Sequence, residues 1–188
     1  MTVGVLALQG DVSEHHEVLR GLRVASFDVR TPADLAGVDR LIIPGGESTA
    51  ISLLLQSSGL FQEIIARHIK RTLPIFGTCA GAILLAKRIE GTNTPKSLAL
   101  LNITIDRNAY GTQLDSFEER ISVPVLGRKL LRVSFIRAPK ITATGEGVEI
   151  LAMHKKVPVL VRQGSILASA CHPEVQCEIR LHEYFLKI

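Results

Sequence analysis

Short runs of β-branched and other apolar residues alternate with helically spaced segments through the first half of the chain, and this alternation restricts the fold more than any other feature. A strand buried on both faces reads as a continuous apolar run, and parallel strands need a helical crossover between them. Val3–Leu8, Val24–Val29, Arg40–Ile43 and Pro74–Phe76 are therefore expected strands. Val12–Leu22, Ser48–Gln56, Phe61–Arg71 and Ala82–Arg88 are expected helices. From about Leu98 the texture changes to strand-rich pieces, at Leu100–Ile105, Phe117–Val123, Leu131–Ile136, Val148–Leu151, Val157–Val161 and Ser165–Cys171. A closing helix is expected over Gln176–Leu186. The expected architecture is a three-layer α/β fold: a mostly parallel central sheet, flanking helices and a strand-rich C-terminal half. No repeat or low-complexity linker divides it, so one domain is expected over residues 1–188.

Composition narrows the function classes. With 46% hydrophobic residues and no Trp, the interior must be built from Leu, Ile, Val and Ala. No apolar run approaches the roughly 20 residues of a membrane span, and Met1–Gly10 enters a strand-like segment without a basic leader, so a soluble cytoplasmic protein without membrane contact is expected. The net charge of +4 comes from scattered Lys and Arg, with only short pairs such as Lys87-Arg88, which argues against nucleic acid. Three cysteines, Cys79, Cys171 and Cys177, show no zinc-site spacing and no need for disulfides at this size. Free thiols and no bound metal are expected.

One thiol stands in a chemically useful place. Cys79 lies between Gly77 and Gly81, at the end of an apolar strand and the start of a helix, where close packing of strand and helix holds a side chain out at the top of a sheet. A helix N-terminus and a nearby imidazolium both favour the thiolate. Of six histidines, His15 and His16 lie on an early helix, His68 and His182 on other helices, and His154 at a strand end. His172 follows an apolar strand and is succeeded by Pro173 and Glu174. In extended geometry residues i and i+2 point the same way, so Glu174 would orient the ring of His172. Cys79, His172 and Glu174 thus form a candidate nucleophile, base and orienter. A thiolate attacking a carbonyl also needs donors for the oxyanion. The N–H of Ala80 is one candidate, and the Pro44-Gly45-Gly46 turn at the end of another strand is the source of a second.

An elbow of the form Gly-x-Cys-x-Gly with a later His-x-Glu resembles the class I glutamine amidotransferases. Leu8-Gln9-Gly10, Pro44–Thr49, Phe76–Gly81, Arg107–Gly111, Asp115–Glu118, Phe135–Pro139 and His172–Glu174 are together similar to the glutaminase subunits of pyridoxal phosphate synthase. The likeness runs in order from Val3 to the final helix. It implies hydrolysis of L-glutamine and delivery of ammonia to a synthase subunit within a large hetero-oligomer, with pyridoxal phosphate as a product and not a bound cofactor. By position it implies glutamine binding at Gly46, Glu47, Ser48, Arg107, Ile136 and Arg137, and a role for Gln9 near the partner, setting the oxyanion turn. Three departures stand out. Val175-Gln176-Cys177 replaces the usual Leu-Thr after the His-Pro-Glu triplet, Thr112 stands where a basic residue is common, and little tail follows the last helix. Elbow cysteines also serve cysteine peptidases and deglycase-like enzymes, and a fold of this kind can persist as a noncatalytic partner.

Overall fold

A computed structural model describes residues 1–107 and 116–188. The chain runs β1 (Thr2–Leu6), α1 (Val12–Gly21), β2 (Ala25–Val29), α2 (Pro32–Ala36), β3 (Arg40–Ile43), α3 (Ser48–Ser57), α4 (Leu60–Ile69), β4 (Ile75–Thr78), α5 (Ala80–Leu85), β5 (Ala86–Glu90), β6 (Leu101–Asp106), β7 (Phe117–Ile121), β8 (Leu131–Phe135), β9 (Lys140–Thr144), β10 (Glu149–His154), β11 (Val157–Gln163), β12 (Ile166–Ser169) and α6 (Ile179–Phe185). Asn108-Ala109-Tyr110-Gly111, Thr112 and Asp115, which the sequence reading singled out, lie outside the described residues.

The main sheet has seven strands in the order β10-β11-β12-β4-β3-β1-β2. The five from β12 to β2 are parallel, while β11 and β10 add antiparallel pairs at one edge. Its apolar side chains divide by the two-residue period of a strand. Leu41 and Ile43 of β3 enter one core with Ile51, Leu55 and Ile64 of α3 and α4, whereas Ile42 between them enters a second core with Leu19 of α1 and Leu181 and Phe185 of α6. Helices thus cover both faces, which is the three-layer arrangement expected. Two smaller sheets, β5-β6-β9 and β7-β8, supply the strand-rich second half. Among the described residues no helix is long and apolar enough to cross a membrane.

Two local expectations are corrected, and two elements were missed. The helix expected over Ala82–Arg88 stops at Leu85, because Ala86 turns extended (φ −61°, ψ 139°) and β5 pairs in parallel with β6. The main-chain oxygens of Leu84 and Leu85 then accept from Leu98 and Leu100 (2.7 and 3.0 Å) instead of continuing a helix. Ala86, Lys87 and Arg88 are good helix formers, and pairing with a distant strand overrides that preference. The strand β9 and the short α2 were not anticipated, although α2 carries a capping box in which Thr31 and Asp34 cap each other's backbone, with Pro32 in the first turn. The closing helix begins at Ile179, after a 3-10 turn over Glu174–Gln176 and a left-handed Cys177 (φ 49°).

Candidate active site

β1 and β3 are neighbours, and the chain passes from β1 to β2 on one side and from β3 to β4 on the other. In open parallel sheets such a switch point opens a crevice at the C-terminal ends of the strands. Gln9–Asp11 follow β1 there, Pro44–Ser48 follow β3, and Cys79 and His172 follow the neighbouring β4 and β12. A cleft of about 520 Å³ opens over them.

Cys79 caps α5 with φ 47° and ψ −101°, a conformation that costs a non-glycine residue about 1–3 kcal/mol and is held here by its surroundings. Its N–H donates to the Ser169 carbonyl (2.8 Å) and its carbonyl accepts from Ile83 (3.1 Å). The elbow depends on close backbone approach: a Cβ on Gly81 would lie 2.1 Å from the Ile43 carbonyl oxygen. Sγ sits 4.0 Å from the carbonyl oxygen of Ile136, and the residue is 7% exposed, facing the cleft. Cys171, by contrast, is fully buried, and burial pushes its thiol up to about 12; Cys177 is exposed. All three are free thiols.

His172 is pinned by its backbone, which exchanges two hydrogen bonds with Ser134 of β8 (2.8 and 3.1 Å). Its Nδ1 lies 2.8 Å from Glu174 Oε1. The route to that contact differs from the extended one expected. Pro173 is helical (φ −70°, ψ −30°) and Glu174 opens a 3-10 turn, so the turn brings the carboxylate back to the ring. A second carboxylate, Asp11, reaches the same nitrogen from the loop after β1, with Oδ2 at 3.3 Å. Burial disfavours the imidazolium, but the contacts with Asp11, Cys79 and Glu174 outweigh it and push His172 up to about 12. The pairing with His172 holds the Asp11 carboxyl below the usual range despite its partial burial.

The loops after β1 and β3 are laced together. The Asp11 N–H donates to the Gly45 carbonyl (3.1 Å), and the Glu47 N–H donates to Gln9 Oε1 (2.7 Å). The Gly45 N–H donates to Thr78 Oγ1 (3.1 Å), so it is already engaged within the protein. The Glu47 carboxylate caps α3 through Thr49 and Ala50 (3.1 and 2.6 Å) and pairs with Arg107 at 2.6 Å. Arg137 is exposed, in the left-handed region (φ 43°).

Of the residues nominated from sequence, Gln9, Gly46, Glu47, Ser48, Cys79, Arg107, Ile136, Arg137 and His172 line the cleft, while Gly45, Ala80 and Glu174 lie buried behind it. Asp11 lines the cleft too and was missed. An aspartate at the start of a helix reads as a cap, so its composition gives no sign of a second role. Also missed was a buried pair behind the site: His15 Nδ1 meets His182 Nε2 at 2.9 Å, and His15 Nε2 lies 3.2 Å from Thr78 Oγ1 and 3.8 Å from Glu174 Oε1. Burial holds His15 well below its usual value and His182 down to about 3, so both rings are neutral at pH 7. Gln176, one of the departures, donates to Ser134 Oγ (2.7 Å) and accepts from Arg132 (3.0 Å), and so ties the segment before α6 to β8.

The whole chain is similar to known proteins. The chain is 50% identical over 188 residues to pyridoxal 5'-phosphate synthase subunit PdxT of Thermotoga petrophila, covering 100% of this chain and 99% of that one. It is 49% identical over 186 residues to the protein of the same name from Thermus thermophilus, covering 99% and 96%. A solved structure described as a glutamine amidotransferase superposes with a TM-score of 0.92 at 48% identity, over 98% of this chain and 97% of that one. Another solved glutamine amidotransferase, from Thermotoga maritima, shares the fold, with a TM-score of 0.62 at 16% identity over 99% and 82%. Residues 5–188 match the SNO glutamine amidotransferase family, and the chain belongs to it.

Proposed function

We propose that the chain hydrolyses L-glutamine to L-glutamate and ammonia through a Cys79–His172–Glu174 triad, and that it passes the ammonia to a pyridoxal phosphate synthase subunit. The observation that carries this reading is the left-handed Cys79 at the end of β4, in the same cleft as a histidine held 2.8 Å from a buried carboxylate. Cys79 Sγ attacks the side-chain amide carbon, and the tetrahedral oxyanion is met by the N–H groups of Ala80 and Gly46. His172 gives its proton to the departing ammonia, leaving a glutamyl thioester. It then takes a proton from water as the water attacks that thioester, releasing glutamate and the thiolate. Glu174 keeps the proton-bearing Nδ1 oriented throughout.

The α-carboxylate of glutamine fits the arginine side of the cleft, with Arg137 exposed there and Arg107 already engaged with Glu47. Gly46, Ser48 and Ile136 offer main-chain groups to the rest of the substrate. We read the chain as a single glutaminase domain in the cytoplasm that needs no prosthetic group, pyridoxal phosphate being made by the assembly. The partnership is supported by the relatives' name, which describes a subunit of pyridoxal 5'-phosphate synthase. The test is glutamate release from L-glutamine by the purified chain, alone and mixed with a pyridoxal phosphate synthase subunit. Activity that rises on mixing and is lost in Cys79→Ala supports both parts; full activity in Cys79→Ala overturns the triad.

A further inference from the structure

Asp11 occupies the N-cap of α1, where an aspartate ordinarily accepts from the N–H groups of the first turn and stabilises the helix by about 1 kcal/mol. Here it makes no side-chain cap hydrogen bond. The carboxylate turns away from its own helix to bring Oδ2 within 3.3 Å of His172 Nδ1, the nitrogen already 2.8 Å from Glu174. Neighbouring parts of the site are shaped for that contact. The Asp11 N–H is fixed on the Gly45 carbonyl at 3.1 Å, and Gly45 has no side chain where one would intrude: its Cβ would lie 2.3 Å from His172 Cε1 and 2.8 Å from Asp11 Oδ2.

We propose that Asp11 is a second orienting carboxylate for His172, a positioning residue that shares the Nδ1 proton with Glu174 from the open side of the cleft. This rests on the reading of His172 as the base of glutamine hydrolysis. The two carboxylates differ in kind. Glu174 is 1% exposed, and its Oε2 has no hydrogen-bond partner among the described residues, so it holds the ring from the dry side. The Asp11 side chain is about one-third exposed and lines the cleft, so its hold is felt where substrate and solvent enter. The groups facing His172 are Asp11 after β1, Glu174 in the following turn, Cys79 at the β4 end, and the neutral His15 and un-ionised Cys171 behind it. Only Asp11 and Glu174 bear on Nδ1 among the described residues. With both present, turning the ring about Cβ–Cγ moves Nδ1 away from two carboxylates at once. The imidazolium formed when Cys79 ionises is also better stabilised.

The test uses the full chain and two readouts. In a Cys79→Ala background, which removes the thiolate from the count, 15N NMR of the His172 ring should titrate about half to one pH unit lower once Asp11→Asn is added. With Cys79 intact and the synthase partner present, Asp11→Asn should lower kcat for L-glutamine about three- to tenfold while KM stays within about twofold. Asp11→Ser, which retains a capping side chain, should lose as much kcat as Asp11→Asn. Unchanged His172 titration overturns the proposal. So does a rise in KM alone, which would make Asp11 a substrate contact, or a wild-type kcat in Asp11→Ser, which would show that no carboxylate is needed there. Turnover by the Cys79→Ala chain would sink the triad reading separately, and the NMR comparison would still decide the contact.

Discussion

Replacing Gly45 by alanine places one methyl group where three parts of the site converge. Its Cβ would stand 2.3 Å from His172 Cε1, 3.0 Å from Nδ1 and 2.8 Å from Asp11 Oδ2, against 3.4–4 Å for ordinary contact. One side must retreat by about an ångström. His172 has little freedom to do so, because its backbone is bonded twice to Ser134 and its ring is held at 2.8 Å by buried Glu174. The Gly45 segment is held as firmly, by Thr78 Oγ1 through its N–H and by the Asp11 N–H on its carbonyl. If His172 is the proton-transferring group proposed here, a displacement of that size costs about a hundredfold in rate, and overpacking costs about 1–3 kcal/mol of stability. Steady-state glutamate release in the presence of the synthase partner gives the first quantity, and urea unfolding gives the second. Gly21→Ala, with nothing within 4 Å of its Cβ, serves as a control and should leave activity unaltered. A Gly45→Ala chain that is folded and keeps kcat/KM within about threefold of wild type would refute the argument that this contact sets the ring.

Glu174→Gln keeps the shape but offers an N–H or a neutral oxygen to Nδ1; kcat should fall about a hundredfold or more in the same assay, with the fold intact by circular dichroism. Iodoacetamide at pH 7.5 followed by peptide mapping should modify Cys79 and exposed Cys177 but leave Cys171 untouched, since burial pushes that thiol up to about 12. Acid should destabilise the chain through His15 and His182. Both have folded values depressed below 6.5, so their contribution is complete above about pH 6.5 and is lost as pH falls toward the lowered values, at up to about 1.4 kcal/mol per pH unit per ring. His172, shifted upward, keeps its proton in the folded state throughout, while its unfolded form gains one as pH falls through about 6.5, so it opposes the slope near the start of the range and adds nothing well below pH 6.5. Urea unfolding from pH 7 to 4 should show the slope in wild type and a shallower one in His182→Phe; equal slopes would count against this account.

The parallel half of the fold was legible because strands buried on both faces leave unbroken apolar runs, and Arg40–Ile43 was read to the residue. The end of α5 was not. Ala86–Arg88 favours helix locally, and only pairing with Leu101–Asp106 makes it a strand. Among site residues, the cysteine elbow could be read because Gly77 and Gly81 have a packing reason to be there. Glu174 was reached by an argument from extended geometry, whereas a turn provides the contact. Asp11 was hidden because capping explains an aspartate at that place equally well. The His15–His182 pair was hidden because 167 residues separate the rings and only the docking of α6 beside α1 joins them.

The most direct test of the central claim is acid-quenched intact-mass analysis of the chain during turnover of L-glutamine beside the synthase partner, with peptide mapping of any adduct. The account predicts a glutamyl adduct on Cys79 and none on Cys171 or Cys177, absent altogether from Cys79→Ala. Glutamate release by Cys79→Ala, or an adduct mapped to another cysteine, would contradict it.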